Sequence, residues 1–317
     1  MPEEIVDVAV GVLVTPENQV LLGDRPAGKP WAGWWELPGG KLEPGESVMQ
    51  ALTRELVEEL DIHITAATPW VTYVHHYPTT TVRLHFCRVS QWTGQPKGLE
   101  QQQLKWVDIA TATELPDLLP ATYPPLRWLQ LPDRYLISPG QGQVGFEAFL
   151  ARLTLALESG VKLVQWREPS WRGPGMQAAF EQVLTQCHAK GARLLVNSAH
   201  EQALWMMADG LHLRAVDAAK LKQRPAYLAQ GLLAVSTHNE AELELARSLD
   251  ADFVVLGPVL PTASHPDEPT LGWDGFEQLQ QKAGLPVFAI GGQRTSLLAQ
   301  AQLRGAHGIA GIRELID

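Results

Sequence analysis

The chain has 317 residues, 45% of them hydrophobic and 19% charged, which is the composition of an ordinary globular protein with room for about two domains. Its formal net charge is −10 and its sequence has no cluster of Lys and Arg, so a nucleic-acid polymer is not expected as a partner. No apolar run reaches the roughly 18 residues that cross a bilayer, and the first residues are acidic where a secretory signal is basic, so we expect a cytoplasmic protein without a membrane partner.

Most of the net negative charge lies in the first half of the chain. Residues 1–131 hold 9 Lys and Arg against 16 Asp and Glu, whereas residues 132–317 hold 16 against 19. A phosphate-bearing substrate of the first half would therefore need a metal ion as intermediary, and a small molecule is favoured. Cys87 and Cys187 have no CxxC or nearby Cys/His spacing, so we expect core residues rather than a disulfide or zinc ligands.

The first half mixes strands with few helices. Residues 6–14, 19–22 and 80–89 have the β-rich or alternating pattern of strands, and residues 47–60 are predicted to form a long helix. A second helix at residues 123–129 closes this part. The proline-containing stretch that follows places the domain boundary at about Leu131, which gives domains of residues 1–131 and 132–317.

The second half alternates short apolar runs with helix-length segments. Strands that end in Gly, Ser or Asn and are separated by helices favour a parallel sheet, and eight such units favour a closed (β/α)8 barrel of the TIM type. The eight predicted strands are residues 134–138, 161–166, 192–197, 210–213, 232–236, 252–257, 286–291 and 307–311.

The helix predicted at residues 47–60 carries glutamates on an unusual face. At about 100° per residue, Glu55, Glu58 and Glu59 fall inside an apolar arc or at its edge. A glutamate-rich helix is most often a solvated surface, but carboxylates beside a buried face need a partner. Hard oxygen ligands suit Mg²⁺, with Mn²⁺ as the alternative. The apolar arc consists of Val48, Ala51, Leu52 and Leu56.

The same segment matches a known signature. Gly40, five residues, Glu46, seven residues and then the run from Arg54 to Ile62 resemble the Nudix box, with Asp61 where the box has a glycine. Residues 4–130 resemble Nudix hydrolases, and the spelling around the box resembles the MutT type, which hydrolyse 8-oxo-dGTP before DNA replication can use it. The resemblance implies an α/β/α sandwich with a mixed sheet, so the expected fold class of the whole chain is α/β.

The resemblance also implies roles for the box residues. Glu55 and Glu59 would be the main metal ligands, with Glu58 assisting and Arg54 orienting a carboxylate. The backbone carbonyl of Gly39 would join them, because the glycines let the loop fold back over the helix. Glu46 would tie this loop to the helix. Glu100 would add a ligand or act as the base, with a solvated loop residue as the alternative, and the base is open among Glu55, Glu58, Glu59 and Glu100.

Substrate residues are implied in the same way. Arg25 would contact the nucleotide, with a surface arginine as the alternative, Lys41 lies next to the box glycines, and Leu37 takes the place of an aromatic that lines the base pocket. Thr122 stands where the MutT type has an asparagine that reads the oxidised guanine. A hydroxyl has fewer donors and acceptors than an amide, so the readout of the base is expected to differ.

The barrel half resembles thiamine phosphate synthase and its relative TenI, a thiazole tautomerase. The resemblance implies a ligand site for a thiazole or pyrimidine phosphate, with backbone donors of a Gly-Gly turn at a late strand end taking the phosphate. A tight turn is the alternative reading of that motif, and a core or rim histidine is the alternative at position 238. The implied site residues are Gln165, Arg167, Asn197, Asp217, His238, Gly291 and Gly292.

The barrel departs from the synthase pattern at charged positions. Pro169 replaces a lysine, Ser198 replaces a magnesium-binding aspartate, Ala215 replaces a glutamine, and a further lysine is missing near His265. Because these groups would stabilise the leaving pyrophosphate, we do not expect synthase activity.

Three functions follow from these observations. The first is a Mg²⁺-dependent nucleoside triphosphate pyrophosphohydrolase, an 8-oxo-dGTP diphosphatase, with a barrel that lacks synthase activity. The second is a Nudix hydrolase acting on a thiamine-pathway diphosphate, with the barrel as a thiazole tautomerase. The third makes the barrel a binding or dimerisation module that regulates the hydrolase, and a homodimer is left open in all three.

Overall fold

A computed structural model describes residues 5–171, 173, 175–262, 269–313 and 315. The position near His265, where the sequence lacks a lysine, lies outside these described residues. The chain divides into two compact units, Met1–Leu131 and Pro132–Asp317. No helix in the described part of the chain is both long and apolar enough to span a bilayer.

The first unit is a mixed α/β structure. Its strands and helices run in the order β1 (Ile5–Leu13), β2 (Gln19–Asp24), β3 (Trp35–Glu36), β4 (Gly39–Lys41), α1 (Val48–Leu60), β5 (His63–Tyr77), β6 (Thr80–Thr93), β7 (Leu104–Asp108) and α2 (Tyr123–Leu129).

The strands of this unit form two sheets. One has the order β4-β1-β6-β5, in which β1 and β6 are parallel and the other pairs antiparallel. The second, β3-β2-β7, is antiparallel. Helix α1 packs through Leu52 and Leu56 in one core cluster with Ala9 of β1. Trp128 of α2 contacts Trp70 and other aromatic rings edge-on. The two helices thus contribute to the packing of this mixed α/β unit.

Helix α1 has well-defined ends. The Ser47 hydroxyl accepts from the amide of Gln50, and the Gln50 side chain accepts from the amide of Ser47, which is a complete capping box. At the other end Asp61 has φ of 57° and ψ of 37°, the left-handed conformation that usually calls for glycine. The aspartate at the box's glycine position therefore keeps the glycine's backbone geometry.

The second unit is a barrel of alternating strands and helices. Its elements are β8 (Arg134–Ile137), α3 (Phe146–Glu158), β9 (Leu163–Trp166), α4 (Met176–Ala189), β10 (Arg193–Asn197), α5 (Gln202–Trp205), β11 (Gly210–Leu213), α6 (Ala215–Ala218), β12 (Leu232–Thr237), α7 (Glu240–Ser248), β13 (Phe253–Leu256), α8 (Gly272–Gln280), β14 (Val287–Ile290), α9 (Leu298–Leu303) and β15 (Gly308–Gly311).

Strands β8 to β15 close into a parallel barrel in which each strand pairs with its sequence neighbours and β15 returns to β8. This confirms the predicted fold class, a mixed α/β unit followed by a barrel of the TIM type. The strand residues are almost all buried, because helices cover the outside of the sheet and side chains fill its centre. Cys187 lies in the core of this unit and Cys87 in that of the first, both as free thiols.

Candidate metal site and barrel mouth

Glu59 is a partly buried carboxylate of the box. Its Oε2 accepts a hydrogen bond of 3.1 Å from the backbone amide of Gly39 on β4. The pKa of Glu59 is raised to about 7, chiefly by burial and also by the negative charges of Glu55, Glu100 and Glu36, against the opposing effect of that hydrogen bond. Glu59 thus lies among carboxylates in a partly desolvated environment, which a bound cation would stabilise.

Glu55 lies one turn before Glu59 and faces the same strand. Its side chain is 15% exposed, and its carboxylate lies against the Cα of Gly40, where any Cβ would overlap it. The glycine at position 40 is therefore required by the closeness of this carboxylate. Strand β4 and helix α1 together bring Glu55 and Glu59 beside the glycine turn.

Arg54 holds the surrounding loop and carboxylates together. Its Nε and Nη2 donate to the two oxygens of Glu46 at 2.9 Å each, its Nη1 donates to Glu55 at 2.8 Å, and its Nη2 donates to the carbonyl of Lys41 at 3.0 Å. The hydrogen bond from Arg54 lowers the pKa of Glu46 to about 2. Arg54 therefore links the loop to the helix and orients Glu55.

Two glutamates lie further out. The side chain of Glu58 is 59% exposed and accepts a hydrogen bond from Arg54 at 3.2 Å. The prediction that this glutamate faces away from solvent was wrong, because the helix surface at the edge of the apolar arc is open to solvent. Glu100 pairs with Lys29 at 2.6 Å and is 44% exposed. Among the described residues no three acidic, His or Cys side chains already surround one point.

The donor set nevertheless fits a hard divalent cation. Glu55 and Glu59 supply carboxylate oxygens on adjacent turns, and the Glu55 and Glu100 charges already raise the pKa of Glu59. Oxygen donors of this kind are what Mg²⁺ and Mn²⁺ prefer, with the remaining positions left to water and substrate phosphates.

Of the residues expected to contact the nucleotide, Arg25 follows β2, Leu37 follows β3, Lys41 ends β4 and Thr122 precedes α2. Arg25 pairs with Glu36 at 2.9 Å, and burial raises the pKa of Glu36. The amide of Leu119 donates to the carbonyl of Trp35 at 3.0 Å, which fixes the loop that carries Thr122 beside β3. Thr122 is buried, as is Leu37, whereas Lys41 is exposed.

The barrel centre contains a buried chain of hydrogen bonds. Asn197 donates to Gln165 at 2.8 Å, Gln165 donates to the hydroxyl of Tyr135 at 3.0 Å, and that hydroxyl lies 3.1 Å from Nδ1 of His212. The His212 Nε2 is 2.8 Å from the Ser236 hydroxyl. Burial, and then the charge of Arg167, lower the pKa of His212 to about 3, so this imidazole is neutral.

The Gly-Gly turn follows β14 at the carboxyl end of the barrel. Gly291 has φ of 96° and Gly292 of 62°, and a Cβ on Gly291 would lie 2.8 Å from the Cα of Pro258. Both conformation and space therefore require glycine here. In the described residues, the Oε1 of Gln293 and the hydroxyl of Thr295 are buried without a hydrogen-bond partner, so polar atoms remain for a ligand beside this turn.

A cluster of charged residues follows β10 and β11. Both oxygens of Asp217 accept hydrogen bonds, Oδ2 from Ser198 at 2.8 Å and from Arg214 at 2.6 Å, and Oδ1 from Lys220 at 2.8 Å. The three hydrogen bonds outweigh burial and lower the pKa of Asp217 to about 2. His238, at the end of β12, is exposed and lies 2.9 Å from Glu242.

Family models match both units. The thiamine monophosphate synthase model matches residues 134–315, and the NUDIX domain model matches residues 6–129. The chain belongs to the thiamine monophosphate synthase family. Its first unit is a Nudix domain, and Nudix hydrolases act on phosphorus-containing anhydrides. The resemblance found in the sequence is thereby confirmed for both halves.

Individual relatives match one unit each. The barrel is 34% identical over 176 residues to a thiamine-phosphate synthase of Synechococcus sp. (strain WH7803), which is 55% of this chain and 50% of that protein. The Nudix domain is 37% identical over 108 residues to an 8-oxo-dGTP diphosphatase of Haemophilus influenzae, which is 34% of this chain and 79% of that protein. This chain therefore spans about half the length of the Synechococcus relative.

A solved structure of MutT from Aliivibrio salmonicida and Vibrio cholerae is 31% identical to this chain. The match has a TM-score of 0.35 and covers 40% of this chain and 97% of that one.

The Nudix domain and the barrel also contain polar residues that sequence patterns did not single out. Glu36 lies on β3 directly after Trp35, and its pairing with Arg25 links β3 to the residue that follows β2. Tyr135 looks like an ordinary strand residue, but it lies at the centre of the barrel network. Arg214 and Lys220 lie three residues either side of Asp217, and that spacing is the signal that could have found them.

Proposed function

We propose that the Nudix domain is a Mg²⁺-dependent nucleoside triphosphate pyrophosphohydrolase whose substrate is 8-oxo-dGTP. The products are 8-oxo-dGMP and pyrophosphate. The observation that carries this proposal is the half-buried pair of Glu55 and Glu59 against Gly39 and Gly40, with a Glu59 pKa raised to about 7 by burial first and by neighbouring carboxylates. Such a pair is suited to a hard cation that also binds phosphate oxygens.

Glu55 and Glu59 would hold the metal ion, and the carbonyl of Gly39 would join them. A bound divalent cation neutralises polyphosphate charge and lowers the pKa of a bound water. Arg54 acts as a positioning residue, since it bonds Glu55 and ties Glu46 to the helix. Glu58 and Glu100 assist from the exposed side, and Glu100 must leave Lys29 to reach the site.

The chemical step is the attack of water on phosphorus, with loss of the water proton to a carboxylate and cleavage of one phosphoanhydride bond. The bond that breaks leaves the nucleoside monophosphate on one side and pyrophosphate on the other. The residues that can take the proton are Glu55, Glu58, Glu59 and Glu100.

The base would lie between Leu37 and the loop of Thr122, and Arg25 would contact the nucleotide. Lys41 is exposed beside the glycine turn, where its charge can attract the phosphates. The side chain of Thr122 offers one hydroxyl where an amide would offer two donors and an acceptor. We therefore infer a weaker preference for 8-oxo-dGTP over dGTP than an asparagine would give.

Product analysis tests the hydrolase. The full-length protein should convert 8-oxo-dGTP to 8-oxo-dGMP and pyrophosphate in the presence of Mg²⁺, whereas release of single phosphate groups would contradict the proposed bond cleavage. A parallel screen with thiamine-pathway diphosphates tests the alternative substrate class. Slower hydrolysis of these diphosphates than of 8-oxo-dGTP would decide against a thiamine-pathway hydrolase.

For the barrel we propose binding of a phosphorylated thiazole or pyrimidine without synthesis of thiamine phosphate. The turn at Gly291 and Gly292 supplies backbone donors, and the buried partners of Tyr135 offer polar contacts for a heteroaromatic ring. Pro169 and Ser198 cannot replace a lysine and a metal-binding aspartate.

Calorimetry with a thiazole phosphate, together with a coupled synthesis assay, tests both parts of this proposal. Binding without product supports it. Measurable thiamine phosphate formation, or no binding of any thiazole or pyrimidine phosphate, would contradict it. His238 and Glu242 keep a proton-exchanging role open, and a tautomerase assay on the His238→Asn variant addresses it separately.

A further inference from the structure

The cluster at the mouth of the barrel does not fit a divalent cation. A metal ion needs free carboxylate oxygens, but both oxygens of Asp217 already accept hydrogen bonds from Ser198, Arg214 and Lys220. The hydroxyl of Ser198 is also committed, since it donates to Asp217 and accepts from the backbone amide of Arg214 at 3.0 Å. The residues at this place therefore do not form a magnesium site.

The same cluster has an excess of positive charge. It contains two cations, Arg214 and Lys220, and a single carboxylate, Asp217. Of the three guanidinium nitrogens of Arg214, only Nε donates a hydrogen bond within the described residues, and the side chain is 48% exposed. Its Nη groups are therefore available to a ligand while Asp217 holds the guanidinium in place.

We propose that Arg214, positioned by Asp217 and assisted by Lys220, binds the phosphate or pyrophosphate group of the barrel's ligand without a metal ion. A guanidinium binds phosphate oxygens through two parallel hydrogen bonds, and its charge does not depend on a dissociable cofactor. The serine at position 198 favours this arrangement, because an aspartate there would be a second carboxylate that competes with the ligand's phosphate for Arg214. This inference rests on the proposed ligand-binding function of the barrel.

Another cationic side chain and a turn with backbone donors lie at the same end of the barrel. Arg167 follows β9 and is close enough to His212 for its charge to act on the imidazole. The turn at Gly291 and Gly292 lies at the same carboxyl end of the strands. Side-chain cations and the backbone amides of this turn thus lie at the same end of the barrel, the end where ligands bind in this fold.

Calorimetric titration of inorganic pyrophosphate into the full-length protein in EDTA tests the proposal. EDTA removes divalent cations, so the acidic Nudix site does not bind the anion and the barrel is observed alone. We expect binding by the wild type and a dissociation constant about tenfold higher or more for Arg214→Gln, as for loss of a charged hydrogen bond. Arg214→Lys should recover part of the affinity, because it keeps the charge but not the paired donors.

Matched variants separate the inference from general effects of charge. Lys222→Gln removes one positive charge from an exposed lysine outside the cluster, and we expect the wild-type affinity. Ser198→Asp adds a carboxylate next to Asp217, so it should weaken binding in EDTA, and Mg²⁺ should then restore it. Far-UV circular dichroism establishes that each variant is folded.

The possible results separate the metal-free anion site at Arg214 from the ligand-binding function proposed for the barrel. Binding in EDTA that Arg214→Gln weakens and Lys222→Gln does not supports a metal-free site. Binding that requires Mg²⁺, survives Glu59→Gln and is unchanged in Arg214→Gln overturns the inference but leaves a ligand-binding barrel. No binding of pyrophosphate or thiazole phosphate with or without Mg²⁺ overturns the proposed function of the barrel as well.

Discussion

The carboxylate of Glu55 lies against the Cα of Gly40, in space that any side chain at position 40 would occupy. We expect Gly40→Ala to displace this flexible carboxylate rather than the backbone, and so to lower kcat/KM for 8-oxo-dGTP by about 10- to 100-fold, the usual effect of moving a group that orients a metal ligand. Steady-state kinetics with Mg²⁺ measures the change.

Gly23→Ala is the control for that variant. A Cβ on Gly23 would make an ordinary contact of 3.4 Å with Leu104, so we expect near-wild-type kinetics. Equal losses in the two variants would show that the effect of Gly40→Ala comes from general disturbance of the domain and not from Glu55.

Asp61 ends helix α1 with φ of 57°, a conformation that costs an L-residue about 1 kcal/mol or more. We expect Asp61→Gly to raise the free energy of unfolding of the Nudix domain by up to about 1 kcal/mol, because the exposed ion pair with Lys97 that it removes is worth less. Urea denaturation curves, monitored through the loss of hydrolase activity, measure this change in the free energy of unfolding. Asp61→Ala keeps the strained Cβ and loses the ion pair, so it should not stabilise; stabilisation by both would argue against strain as the cause.

Much of the fold could be predicted because its signals are local. The strands of the barrel were placed within about two residues, since buried parallel strands are short apolar runs bounded by turn residues. Strand β5 was missed. It pairs with β6 over 15 residues but contains register shifts near Ala66 and Pro69, and these break the alternation that identifies a strand.

The site could be predicted where it lies on one helix. The spacing of Glu55 and Glu59 already places them on one face of α1. The pairing of Arg25 with Glu36 depends on which strands become neighbours, and the contact of Tyr135 with His212 joins the non-adjacent barrel strands β8 and β11. No local pattern contains that information. Glu58 shows the limit of a helical wheel, which gives the direction of a side chain but not whether neighbouring elements cover it; this side chain is 59% exposed.

Thr122 precedes helix α2, and its side chain makes no capping hydrogen bond, so it can be changed without loss of a cap. We expect Thr122→Asn to increase the ratio of kcat/KM for 8-oxo-dGTP to that for dGTP, because an amide pairs more completely with the polar edge of the base. Thr122→Val, of similar shape but without the hydroxyl, should lower the ratio. An unchanged ratio in both variants would place base recognition elsewhere.

His212 is buried with a pKa lowered from its ordinary 6.5 to about 3, chiefly by burial. As the pH falls below 6.5, the unfolded chain takes up a proton at this histidine and the folded barrel does not, so protonation favours unfolding until about pH 3. This group alone should lower the free energy of unfolding by up to about 1.4 kcal/mol per pH unit in that range. Urea denaturation at pH 7.5, 5.5 and 4.5 should show a smaller pH dependence for His212→Gln than for the wild type. Parallel curves would contradict a neutral buried imidazole.

Glu59→Gln is the most direct test of the hydrolase, since it removes one negative charge from the carboxylate that bonds Gly39 and keeps its shape. In full-length protein with saturating Mg²⁺, kcat for conversion of 8-oxo-dGTP to 8-oxo-dGMP and pyrophosphate should fall by about 10²- to 10³-fold or more. The free energy of unfolding should change little. A kcat within tenfold of the wild type would contradict the assignment of Glu59 to the metal site and with it the proposed mechanism.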